Sequence, residues 1–143
     1  LNSDIANEGH FNGKVISSLE TYILKTYKVK KGMTVGYNST PCPADGVIAV
    51  LAIGYGDGFG NRFSGATLIH KGHEGKILGR VSMDMCHVFF PPTALDQIKE
   101  NDTFIIWGEG GVDLAKLSEE TKIIPYEIFC SLQPRIPRIY HVN

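Results

Sequence analysis

Hydrophobic and polar positions change their spacing several times along this chain. Residues 2–14 are polar and include Gly9 and Gly13, which predicts a linker or loop leading into a folded domain. From Val15 to Val29, residues such as Leu19, Thr21, Tyr22 and Ile23 form a β-branched and aromatic stretch with no helical period, so extended structure is expected. Lys30-Lys31-Gly32 marks a turn before the short stretch Met33–Tyr37, and Pro41, Pro43, Asp45 and Gly46 punctuate the chain again. Val47–Ile53 is an unbroken apolar run of strand length, the pattern of a strand covered on both faces. A loop with glycine at alternate positions, Gly54–Gly60, follows it. Ala66–His70 and Lys76–Leu78 read as the arms of a hairpin turning over Lys71–Gly75. Met85–Phe90, stopped by Pro91-Pro92, and Asp102–Trp107, closed by Gly108, Gly110 and Gly111, are further strands.

Only the end of the chain has a helical pattern. Asp113 is placed to cap Leu114–Glu120, with Leu114 and Leu117 on one side. Pro125 opens a second short turn over Tyr126–Leu132, before Pro134 and Pro137 force extension. Short strands broken by Gly and Pro predict a mostly-β fold, a small antiparallel β-barrel-like domain with one or two short helices near the C-terminus.

Composition narrows the class. A chain of 143 residues is one domain's worth, and 43% hydrophobic with 20% charged residues excludes disorder. A net charge of -1 argues against a nucleic-acid partner. No apolar run approaches the roughly 18 residues of a membrane span, and no signal-like segment opens the chain. Cys42, Cys86 and Cys130 are odd in number and widely spaced, which fits reduced thiols in a cytoplasmic protein and reads as small buried hydrophobes. The first residue is Leu1, not Met, so the chain is expected to be a piece of something longer.

Several segments carry candidate chemistry. The Gly54–Gly60 loop would let backbone amides approach a phosphate or carboxylate, yet it lacks the P-loop and dinucleotide patterns; taken alone it reads better as a tight strand connection. Arg80 and Asp84 bracket Met83, either as an anion-holding Arg or as a surface ion pair. Tyr37, Tyr55 and Tyr126 fall in loops or at element ends, where functional side chains concentrate, whereas Tyr22 and Tyr27 read as packing residues. His70 and His73 are separated by a turn, which argues against shared metal ligation, and no metal site is expected.

Taken together, Val35-Gly36-Tyr37, Ile53-Gly54-Tyr55-Gly56-Asp57-Gly58, Gly79-Arg80-Val81-Ser82-Met83-Asp84, Tyr126-Glu127 and Arg135-Ile136-Pro137-Arg138 resemble the C-terminal domain of alanine racemases in order and spacing, from about Val15 to Tyr140. The resemblance implies a β-rich domain, residues 15–143, that follows an N-terminal (β/α)8 barrel carrying the pyridoxal 5'-phosphate lysine. None of the ten lysines here lies in the VxKANAYGHG-type motif of that barrel, so this chain alone is expected to be inactive. By resemblance, Tyr37 is the catalytic tyrosine acting on the face opposite the cofactor lysine. Tyr126 touches the cofactor phosphate, and the Met83 backbone N–H binds the substrate carboxylate. Tyr55, Arg80, Asp84 and Ile124 line the substrate entrance. These groups would reach the other subunit's site in a head-to-tail homodimer that interconverts L- and D-alanine for peptidoglycan synthesis. A racemase of serine or another small amino acid, and a non-catalytic β-barrel interaction domain, are the alternative readings.

Three positions depart from the family pattern. Gly56 stands where alanine is commoner, Asn61 where an entrance arginine is often found (with Arg62 one place on), and Ser82 replaces a frequent cysteine. The chemistry itself sets a further requirement. Inverting a Cα centre takes two acid–base groups on opposite faces. A phenol titrates ordinarily near ~10, so a tyrosine serves as base only where a cationic or donating neighbour stabilises the phenolate. The sequence places no base adjacent to Tyr37, so that neighbour is expected to come from the barrel.

Overall fold

The computed structural model describes residues 15–141; the linker expected over residues 1–14 lies outside the described residues. The strands are β1 (Leu19–Val29), β2 (Thr34–Val35), β3 (Thr40–Pro41), β4 (Gly46–Leu51), β5 (Thr67–His70), β6 (His73–Ile77), β7 (Cys86–Phe90) and β8 (Thr103–Trp107). The helices are α1 (Leu114–Thr121) and α2 (Pro125–Ser131). Six strands form one antiparallel sheet in the order β5-β6-β7-β4-β1-β8, and β2 pairs with β3 as a separate two-stranded arm. This is the mostly-β, barrel-like architecture that the strand pattern predicts, with both helices at the expected end.

Curvature comes from β1. Its first residues, Leu19–Tyr22, pair with β8, and Ile23 onward pairs with β4, with register breaks at Leu19/Glu20 and between Ile23 and Lys25. Such bulges bend a strand and tighten its twist, which is what closing a sheet requires. The outer strands β5 and β8 then approach each other, and the His70 ring stacks on Phe104 at 4.8 Å across that seam. Lys71 and Asp102 pair beside the stack.

The unbroken apolar run of β4 has its explanation in two cores. Val47, Ala49 and Leu51 face the barrel interior with Ile23, Val88, Phe90 and Phe104. Ile48 and Val50 face outward, where Val29, Val35 and Cys42 cover them. The β2–β3 arm therefore packs on the back of the barrel because β4 is apolar on both faces.

Several local expectations need correction. Residues 15–18 form no strand, and β1 begins at Leu19. The hairpin turn is only Lys71-Gly72, since both residues take positive φ (47° and 82°) and β6 starts at His73; paired positive φ values match the twist of a two-residue hairpin. Residues 125–131 form a true helix, with Pro125 at its first turn where a missing N–H costs nothing. Tyr22 is exposed rather than packed, because it lies on the outward face of β1, whereas Tyr27 packs against the second core. Cys42 and Cys86 are buried, but Cys130 is exposed.

Candidate functional site

Tyr37 sits at the tip of the β2–β3 arm. The arm's base is closed by Cys42 N–H to the Met33 carbonyl (2.7 Å) and Gly32 N–H to the Cys42 carbonyl (2.9 Å). Val35 and Cys42 anchor it in the second core. At the tip the chain reverses through Gly36 (φ 68°) and Ser39 (φ 47°), and Ser39 N–H donates to the Gly36 carbonyl at 3.2 Å. A β-carbon on Gly36 would lie 3.7 Å from His87 Nδ1, an ordinary contact, so the left-handed φ and not lack of space demands glycine there. The tip leaves Tyr37 90% exposed. The arm is also held from the side: a β-carbon on Gly79, the residue before Arg80, would meet Thr40 Oγ1 at 2.9 Å. His87 Nδ1, beneath the tip, is buried without a hydrogen-bond partner, and burial lowers the pKa of the ring, so the arm rests on a neutral imidazole at neutral pH.

The glycine loop resolves into a tight connection. Gly54 N–H donates to Asp57 Oδ2 (2.9 Å), Tyr55 N–H to the Ser82 carbonyl (2.9 Å) and Gly56 N–H to the Met83 carbonyl (2.8 Å). Asp57 and Phe59 N–H both donate to the Gly54 carbonyl, and Gly58 N–H to that of Tyr55. Every amide from Gly54 to Phe59 is thus committed inside the domain, so these six offer no cradle of converging donors to an anion. Close approach is what the glycines permit. A β-carbon on Gly54 would stand 2.2 Å from the Ser82 carbonyl oxygen.

The loop and the Ser82–Met85 turn consequently bring Tyr55, Met83 and Asp84 together. Met83 is exposed, and among the described residues its N–H donates to no acceptor. Asp84 does not pair with Arg80, as a surface Arg–Asp pair would have it. Its Oδ1 accepts from Arg135 Nη2 at 2.8 Å, while Arg135 Nε donates to Asp57 Oδ1 at 2.7 Å. The two carboxylates push the Arg135 pKa still further above its ordinary value. Among the described residues Arg80 is exposed and forms no ion pair.

Ile124 and Tyr126 flank the start of α2. Asp113 caps α1 by accepting from Ala115 N–H at 2.7 Å, as expected, and Leu114 and Leu117 bury the helix against the barrel. The two helices are then fixed to the loop region by Arg62, which donates to Glu127 Oε1 and to the Lys122 carbonyl, each at 2.6 Å. Asn61 Oδ1 accepts from Val81 N–H at 2.9 Å. Both residues at the departed entrance position are therefore used internally. Ser131 Oγ donates to the Gly58 carbonyl at 3.1 Å and ties the far end of α2 to the glycine loop. Tyr126 projects outward, 72% exposed.

Among the described residues neither the Tyr37 nor the Tyr126 hydroxyl has a hydrogen-bond partner, and no hydrogen bond joins the two. A free phenol fits one contact to the phosphate of pyridoxal phosphate, while Arg62 is committed to Glu127 and the Lys122 carbonyl. Among the described residues no three or more His, Cys, Asp or Glu side chains are gathered as a metal site would need. Asp57 and Arg135 lie within the blocks quoted above and Arg62 beside the departed entrance position, but the sequence assigns none of them a partner. Motif spacing does not reveal the pairing, since Arg135 finds its partners 78 and 51 residues away.

Comparison with known proteins meets this geometry. Residues 16–140 match the family described as alanine racemase, C-terminal domain. The biosynthetic alanine racemase of Escherichia coli K12 is 34% identical over 139 residues, which is 96% of this chain and 38% of that protein. Alanine racemase from Bacillus anthracis with bound L-Ala-P superposes with a TM-score of 0.81 at 27% identity, covering 100% of this chain and 38% of that one. Alanine racemase from Bartonella henselae with covalently bound pyridoxal phosphate gives 0.73 at 32% identity, covering 87% and 34%. The chain thus spans little more than a third of the length of these relatives, and it belongs to the alanine racemase C-terminal domain family.

Proposed function

We propose that this chain is the C-terminal domain of a pyridoxal-phosphate-dependent racemase that interconverts L- and D-alanine for peptidoglycan synthesis, working in a head-to-tail homodimer with a barrel domain outside this sequence. The observation that carries the reading is Tyr37: a phenol with no hydrogen-bond partner among the described residues, 90% exposed at the tip of an arm whose base is locked into a core. A side chain held that firmly and left that bare is suited to act on something outside its own domain.

Pyridoxal phosphate, when bound, supplies the electron sink that lets an amino acid's Cα release its proton. Tyr37 Oη takes or returns that proton on one face. The free Met83 N–H receives the substrate carboxylate, and the Tyr126 hydroxyl donates to the cofactor phosphate. Tyr55, Arg80, Asp84 and Ile124 form the entrance. A cationic neighbour for the Tyr37 phenolate comes from the partner, because the arm carries none within hydrogen-bond reach.

The test uses the complete reading frame that encodes this chain. Tyr37→Phe is expected to slow proton abstraction from one alanine enantiomer by about 10²–10⁴-fold, with cofactor content unchanged by absorbance. Wild-type rates in both directions would remove the role assigned to Tyr37. A wild-type enzyme that racemises serine and leaves alanine untouched would move the assignment to the serine alternative.

A further inference from the structure

Arg135 occupies an unusual position. It leaves the C-terminal segment to bridge two carboxylates on separate loops, Asp57 (side chain 15% exposed) and Asp84 (62% exposed). Asp57 is itself locked, since its Oδ2 accepts from Gly54 N–H and its carbonyl from Gln133 N–H. A guanidinium fork resting on one fixed carboxylate fixes the other. The space for the fork depends on one residue: a β-carbon on Gly56 would lie 2.7 Å from Arg135 Nη2 and 3.0 Å from Cζ. Any side chain at position 56 and the seated guanidinium compete for the same volume.

We propose that Arg135 is a positioning residue of the substrate entrance, seated by Gly56, that holds Asp84 in place and neutralises its charge beside the Met83 amide. This rests on the entrance role assigned above to Asp84 and the carboxylate-binding role assigned to the Met83 N–H. An amino acid approaches carrying a carboxylate. An unpaired Asp84 at the mouth would repel it. Arg135 acts through Asp84 and does not touch the substrate.

Steady-state kinetics of the complete enzyme test the clamp. Arg135→Gln is expected to raise KM for alanine about fivefold or more, with kcat changed less than about twofold, as loss of ground-state binding requires. Adding Asp84→Asn should recover most of that loss, because the released charge is gone. Gly56→Ala, with Arg135 intact, should raise KM in the same way; its β-carbon also comes 3.0 Å from the Met83 carbonyl oxygen, so in the Arg135→Gln background it should add less than it does alone. If the Asp84→Asn double variant is no better than Arg135→Gln alone, the role is merely structural and the inference fails; should Arg135→Gln not fold, the Gly56→Ala pair decides by the same rescue. One readout needs no activity. The Arg135 Nε–H resonance of this 143-residue protein should be protected from exchange and lose that protection in Gly56→Ala. A resonance indifferent to Gly56→Ala overturns the clamp whether or not the enzyme racemises, whereas a protected, Gly56-sensitive resonance in an enzyme that racemises no amino acid upholds the clamp and defeats the proposed function.

Discussion

The seam of the barrel makes stability depend on pH through His70. Its ring is 5% exposed, stacks on Phe104 at an interplanar angle of 8°, and leaves Nε2 without a hydrogen bond. Burial, helped by the Lys71 charge, lowers the His70 pKa, although Asp102 at 3.8 Å pulls the other way. The unfolded chain therefore binds a proton that the folded chain refuses once pH falls below the ordinary histidine value. Unfolding free energy then rises with pH in that window and falls with acid. If His70 stays neutral when folded, the loss at about pH 5.5 is RT ln(1 + 10), about 1.4 kcal/mol, against almost nothing at about pH 7.5. His70→Phe keeps a ring on Phe104 and removes both the titration and the unpartnered nitrogen. Urea unfolding followed by the buried Trp107 should show the variant gaining on wild type as pH falls between those two values, by at most about 1.4 kcal/mol. His87, also lowered by burial, is present in both proteins and cancels from the difference. Parallel pH profiles would refute the reasoning. A wild type that gains on the variant in acid would mean that protonated His70 pairs with Asp102.

Two further outcomes follow from local packing. Gly58→Ala places a β-carbon 1.9 Å from the Ser131 carbonyl oxygen at a φ of 94°, so it should cost about 1–2 kcal/mol in backbone strain and about 1–3 kcal/mol in overpacking, read as a lower urea midpoint. A midpoint equal to wild type would mean that α2 does not press on the glycine loop. Thiol labelling of the native chain should modify Cys130 alone, because Cys42 and Cys86 are buried and burial pushes the Cys86 pKa up to about 12. Rapid modification of a second thiol before unfolding would contradict that core.

Much of this domain was legible along the chain because it is encoded locally. The apolar run of β4, the Asp113 cap, the Lys71-Gly72 reversal and the Pro125 helix start each depend on residues a few places apart. The blocks around Tyr37, Tyr55, Met83 and Tyr126 were equally readable, and they led to the family that residues 16–140 match. What lay hidden was set by distance in sequence. Whether the glycine loop held an anion turned on amides spent on the Ser82 and Met83 carbonyls. Which carboxylate Asp84's partner would also grip turned on Arg135, 51 residues further on. Tyr22 read as packing because β-branched and aromatic neighbours do not reveal which face of a strand a second layer will cover. Alternation, caps and turns are properties of a short segment and so belong to the sequence alone. Ion pairs, buried nitrogens and exposed phenols depend on which segments meet, and only the closed barrel decides that.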